Sequence, residues 1–83
     1  MEQIEVYAET PSQFFYIDVV GNMRAEDVSI FNYTGCKVEN VTISNETDKL
    51  VIDVNNLSKG VYYVVFIERT EGVIKKGKFI VTK

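Results

Sequence analysis

In the stretch FFYIDVV, residues 14–20, the apolar side chains fall on alternate positions. Phe15, Ile17 and Val19 share one parity, and Phe14, Tyr16 and Asp18 share the other. A β-strand turns successive side chains to opposite faces, so this pattern describes a strand with one buried and one wet face. The same two-residue period recurs along nearly the whole chain, carried by Val, Ile, Thr, Tyr and Phe. It predicts seven strands: Gln3–Ala8, Phe14–Val20, Val28–Tyr33, Lys37–Ile43, Leu50–Val54, Val61–Arg69 and Val73–Thr82. Between them lie turn signals at Thr10-Pro11-Ser12, Gly21-Asn22, Thr34-Gly35-Cys36, Ser44–Lys49, Asn55–Gly60 and Glu71-Gly72. A helix fits only at Met23–Asp27, and there for one turn at most. Seven short strands with turns every eight to twelve residues predict an all-β, seven-stranded antiparallel immunoglobulin-like β-sandwich, one domain over residues 1–83.

Alternation also separates inside from outside. Phe15, Ile17, Val19, Val28, Ile30, Leu50, Ile52 and Val54 are read as inward, because Asp18, Ser29 and Asp53 stand on the opposite parity. In residues 61–67, VYYVVFI, both parities are apolar, as in a central strand. Its register follows from what precedes it. Leu57-x-x-Gly60-x-Tyr62 has the spacing of a tyrosine corner, in which the hydroxyl of a tyrosine near the start of a late strand bonds back to the backbone upstream. Leu57 then packs beneath, and Gly60 bends the chain without a Cβ. With Tyr62 inward, Val64 and Phe66 are core residues, and Tyr63, Val65 and Ile67 lie outside.

With 83 residues, the chain buries only about 60–65% of the surface its unfolded form exposes, so its core is small. Cys36 is the single cysteine and there is no histidine. That excludes an internal disulfide, a zinc site of nitrogen and sulfur ligands within one chain, and any nucleophile activated by histidine. Asp18, Glu46, Asp48 and Asp53 are not gathered in a calcium-loop spacing. No cofactor, metal or catalytic residue is expected, and the chain is read as no enzyme. No run of uncharged apolar residues is long enough for a membrane-spanning helix. The acidic, alternating N-terminus is not a signal peptide, so an exported chain of this sequence is read as part of a longer precursor. Four sequons, at Asn32, Asn40, Asn45 and Asn56, are read as accidents of a chain rich in Asn and Thr.

Charge is unevenly placed. Residues 1–68 carry eleven acidic and four basic side chains, a balance of −7; residues 69–83 carry one acidic and five basic, a balance of +4. An acidic body does not suit nucleic acid, whose phosphates need cations. The basic end, RTEGVIKKGKFIVTK, admits two readings: lysines that keep an edge strand from aggregating, or a docking surface for an anionic partner.

Three blocks of the chain resemble one known family. IEVYAETPSQFFYIDV resembles its opening block, a short strand and proline turn before an alternating strand; Glu9-Thr10-Pro11-Ser12 stands where Pro-Asn-Pro is usual. VSIFNYTGCKVENV resembles its middle block, with Gly35 followed by Val38. LVIDVNNLSKGVYYVVFIERTEGVIKKGKFIVTK resembles its final block, with Leu-x-x-Gly-x-Tyr, a strand, a glycine turn, lysines and an aliphatic end closed by a basic residue. The family is the C-terminal sorting domain of proteins exported by the type IX (Por) secretion system; small secreted immunoglobulin-like β-sandwich domains of unknown function have a similar ending. The resemblance implies a non-catalytic C-terminal domain of a larger secreted protein. It would be recognised by an outer-membrane translocon and cleaved by a surface sortase-like protease. The cargo would cross the periplasm and reach the cell surface or extracellular space.

By position in the final block, Gly60, Tyr62, Lys76, Lys78 and Lys83 are candidate recognition residues, joined by the outward Tyr63. Leu57, Gly60 and Tyr62 form the structural corner. If the third and sixth strands pair, Phe31, Tyr33 and Tyr63 share an outer face with Val61, Val65 and Ile67 as an exposed aromatic patch. That patch reads either as cross-strand pairing or as a docking face. The alternative function is a structural or adhesive interaction module of a surface or secreted protein. The oligomeric state is not legible.

Overall fold

The computed structural model describes residues 2–8, 13–21, 23–69 and 72–82. Eight strand segments form two four-stranded sheets: β1 (Glu2–Gln3), β2 (Tyr7–Ala8), β3 (Phe14–Asp18), β4 (Val28–Asn32), β5 (Thr42–Asn45), β6 (Lys49–Asp53), β7 (Gly60–Ile67) and β8 (Ile74–Val81). The strand orders are β1-β8-β7-β4 and β2-β3-β6-β5. The predicted first strand accounts for the eighth segment. It splits, its start pairing parallel with β8 and its end pairing antiparallel with β3 in the other sheet. With β1 and β2 counted as one strand that changes sheets, the molecule is the expected seven-stranded all-β sandwich. The order β2-β3-β6-β5 against β8-β7-β4 is that of a constant-type immunoglobulin sandwich. The only helix among the described residues is one 3-10 turn, Ala25–Asp27, inside the predicted Met23–Asp27.

The two inner faces meet in one core. Ile17, Ile30, Leu50, Ile52, Val54, Val64 and Val81 are almost wholly buried, with Phe15, Leu57, Tyr62, Phe66 and Phe79 around them. Phe79 lies 4.8 Å from Phe15 between ring centroids and 5.7 Å from Tyr62, joining the sheets through aromatic contact. No buried side-chain polar atom among the described residues lacks a partner. The guanidinium of Arg69 donates to Asp27 at 2.6 Å, tying the end of β7 to the 3-10 turn. This hydrogen bond raises the Arg69 pKa above its usual value.

The predicted fourth strand, Lys37–Ile43, forms only at its end and is displaced toward the C-terminus. Lys37 makes a single bridge to Phe31, and the strand proper is Thr42–Asn45. Val38 and Val41 explain the difference. Three residues apart, both pack against the core, which no one strand face allows. The chain between them crosses from one sheet to the other. The predicted loop Ser44–Lys49 is correspondingly tighter. Ser44 and Asn45 belong to the edge strand β5, and the Glu46 N–H donates to the Lys49 carbonyl at 2.9 Å to close a hairpin. Their polarity reflects a wet edge rather than a loop. Other strand ends fall one or two residues short of expectation, at Asp18, Asn32, Ile67 and Val81.

Candidate functional site: the outer face of β4, β7 and β8

At the corner, the Tyr62 hydroxyl donates to the Ser58 carbonyl at 2.8 Å. Leu57 is buried below, and its N–H donates to the Val54 carbonyl. Gly60 enters β7 with φ of 149°, a conformation that a side chain rarely permits. Asn40 donates from its side chain to the Asn56 carbonyl, bracing the corner from the crossing segment. Tyr62 itself is 8% exposed, so a partner does not reach its ring. Any part it has in recognition runs through the register it sets.

With Tyr62 inward, the other parity of β7 faces out, and the ladders align it with its neighbours. Phe31, Tyr63 and Lys78 stand in one row across β4, β7 and β8; Ser29, Val65 and Lys76 form the next. Val61 stands beside Ile80, and Ile67 beside Ile74. Tyr63, Ile67, Ile74 and Ile80 are all exposed large apolar residues. The described side chains of this face carry two cations, Lys76 and Lys78, and no acid. A domain with net charge of −3 thus turns an apolar, cationic face outward. Lysines that shield a strand edge do not require so much apolar surface around them.

The aromatic patch needs two corrections. Tyr33 does not extend β4. It sits in the following turn and is 76% exposed. The Asn32 side chain causes this: its Oδ1 accepts from the N–H groups of Thr34 and Cys36 and from the Thr34 hydroxyl, bending the backbone out of the strand. Phe31 is half-buried rather than exposed, because it lies between Tyr63 and the segment carrying Lys37. Phe31, Asn32, Tyr33, Gly35, Tyr63, Val65 and Lys76 line a shallow groove of about 320 Å³. The structure thus gathers Tyr63, Lys76 and Lys78 on one face with Phe31 and Tyr33 at its margin. Gly60 and Tyr62 lie at the corner, and Lys83 falls outside the described residues. Ile74 and Ile80 belong to the face but were not singled out from the sequence, although their parity with Lys76 and Lys78 carried the signal.

The model of the secretion system C-terminal sorting domain matches residues 9–82 of this chain. The chain belongs to that family, the C-terminal sorting domains of type IX secretion. No curated protein and no solved structure matches the chain. The match embraces the middle block in full and the final block as far as Thr82, and with them the corner and the whole of the β4–β7–β8 face. A sorting domain of this kind belongs to proteins exported to the cell surface or beyond and works with the secretion machinery. No helix among the described residues is long and apolar enough to cross a membrane.

Proposed function

We propose that this domain is a non-catalytic export signal at the C-terminal end of a larger secreted protein, and that the outer-membrane translocon reads it through the outer face of β4, β7 and β8. The observation that carries the reading is the row Phe31–Tyr63–Lys78 beside Val65–Lys76, apolar and cationic on an acidic domain of a sorting family. Charge of one sign on a docking face acts mainly on the encounter rate and is screened by salt. The apolar surface around it supplies the area that holds the complex. The cargo passes the periplasm, and a sortase-like protease at the surface acts after translocation. Lys83 joins the basic end in this reading.

The test is a reporter with a signal peptide fused ahead of the domain, expressed in a host with type IX machinery. Tyr63→Ser, Lys76→Glu and Lys78→Glu alter only outward side chains, so the triple variant is expected to fold. Surface delivery of the parent and periplasmic retention of the folded triple variant are the expected results. Equal delivery of the two removes this face as the signal and favours a structural or adhesive interaction module.

A further inference from the structure

We infer that the outer edge of β8, from Lys78 to Ile80, accepts an extended acidic segment of a partner protein as an added strand. β8 is eight residues long and pairs with β7 along its whole length, but among the described residues β1 pairs with it only at Lys75 and Lys76. The Ile4 N–H then donates to the Lys76 carbonyl at 2.7 Å, and the chain leaves for the other sheet, where Tyr7 pairs with Tyr16. In an antiparallel pair, successive residues direct their backbone groups alternately toward and away from the partner. The Lys76 carbonyl points away from β7, so the backbone groups of Lys78 and Ile80 do too. Two N–H donors and two carbonyl acceptors therefore stand in line with no ladder partner among the described residues.

Lysine on such an edge ordinarily protects against aggregation. Here it also selects an occupant. A second copy pairing antiparallel through this edge would bring two Lys78 ammonium groups onto one small face, and like charges across a ladder destabilise it. An acidic strand meets the opposite condition. Lys76 and Lys78 are exposed, and neither is in an ion pair among the described residues. The added strand would place acidic side chains beside Lys78 on the outer face. Its intervening residues would point to the side of the sandwich where Phe79 and Val81 are buried, so they would be apolar. Backbone hydrogen bonds give such a complex its affinity, and the alternation gives its specificity. The inference deepens the sorting reading by naming the partner's chemistry, and rests on it only for the test in cells.

The direct experiment titrates the domain with a blocked peptide alternating valine and glutamate, and separately with one alternating valine and lysine. Amide exchange at Lys78 and Ile80 is the readout. At ten times its Kd the glutamate peptide is expected to slow both amides about tenfold, and the lysine peptide to leave them unchanged. Perturbation confined to the Phe31–Tyr33 groove or to β5 overturns the inference. Ile80→Pro deletes an N–H that β7 does not use and is tolerated on an edge, so it is expected to fold and to lose the peptide. If it does not fold, Lys78→Glu replaces it. The preference should then swing to the lysine peptide, and an unchanged preference overturns the inference. In the reporter assay a folded Ile80→Pro domain is expected to stay in the periplasm. If it exports like the parent while the outer-face triple variant does not, the edge inference fails and the sorting reading stands. If the parent itself is not exported, the sorting reading fails, and the peptide titration alone decides the edge.

Discussion

Gly77 sits within β8 opposite Val64, and a Cβ built on it would lie 2.6 Å from the Ile4 carbonyl oxygen. The same Cβ would lie 3.0 Å from Val6 Cγ2 and from Val64 Cγ1. No carbon approaches a backbone oxygen that closely, and backbone yields less than a side-chain tip. Gly77→Ala must therefore move the segment that crosses from β1 to β2. Overpacking of this kind costs about 1–3 kcal/mol. If the segment lifts away instead, the burial of Ile4 is lost, about 1.5–3 kcal/mol. Alanine restricts the unfolded chain, which returns about 0.4–1 kcal/mol. The net loss is about 1–2 kcal/mol, and in a domain of this size the melting temperature falls by roughly 5–15 °C. Circular dichroism measures the melt, and hydrogen exchange at residues 4–8 shows where the structure opens. The decisive control is a truncation that removes residues 1–4. In that background Gly77→Ala should lose most of its effect, a coupling of about 1 kcal/mol. If the two changes add within about 0.5 kcal/mol, or if Gly77→Ala melts with the parent, the close approach is not what requires glycine.

Tyr62→Phe removes the hydroxyl that closes the corner and should destabilise by about 1 kcal/mol, rising toward 2 if the Ser58 carbonyl is left without water; urea unfolding at matched m-values checks it. Phe66→Ala opens the core beneath β7 and should cost about 3–5 kcal/mol. On so small a domain that is enough to prevent folding, which loss of amide dispersion in an NMR spectrum would reveal. The outer-face triple variant should keep the parent's melting temperature while losing surface delivery, a separation that a purely architectural β7 would not produce.

The core was legible because its residues sit on one parity. Phe15, Ile17, Ile30, Leu50, Ile52, Val64 and Phe66 are buried as alternation requires. Failures of legibility fall where the chain leaves a sheet. Val38 and Val41 both turn inward at a spacing of three, so a segment rich in β-forming residues crosses between sheets instead of pairing. Residues 3–8 alternate as one strand would, yet they serve two sheets, because local pattern carries no information on which neighbour is used. Asn32 lies in a run that reads as strand, and only its side-chain bonds to Thr34 and Cys36 end it there. Gly77 did carry a signal: a glycine inside a strand marks a bulge or a close backbone approach. What approaches it, Ile4, is far away in sequence.

Tyr62 and Tyr63 show how one stretch of chain can hold the core and, in the proposed reading, present a recognition face. Adjacent in sequence, they point to opposite faces: Tyr62 stacks on Phe79 inside, and Tyr63 stands between Phe31 and Lys78 outside. Since the period is two, packing constrains the inward positions and leaves the outward ones free to suit a partner. The arrangement is only as good as its register. A slip of one residue would bury Tyr63, Val65 and Ile67 and expose Tyr62, Val64 and Phe66. Because both parities of β7 are apolar, hydrophobic patterning alone discriminates weakly between these two pairings. The corner supplies the missing specification: the Tyr62 hydroxyl reaches the Ser58 carbonyl only in the observed register, and the backbone at Gly60 turns the chain into it. In the proposed reading Gly60 and Tyr62 bear on recognition without touching a partner, by deciding which face of β7 is turned outward.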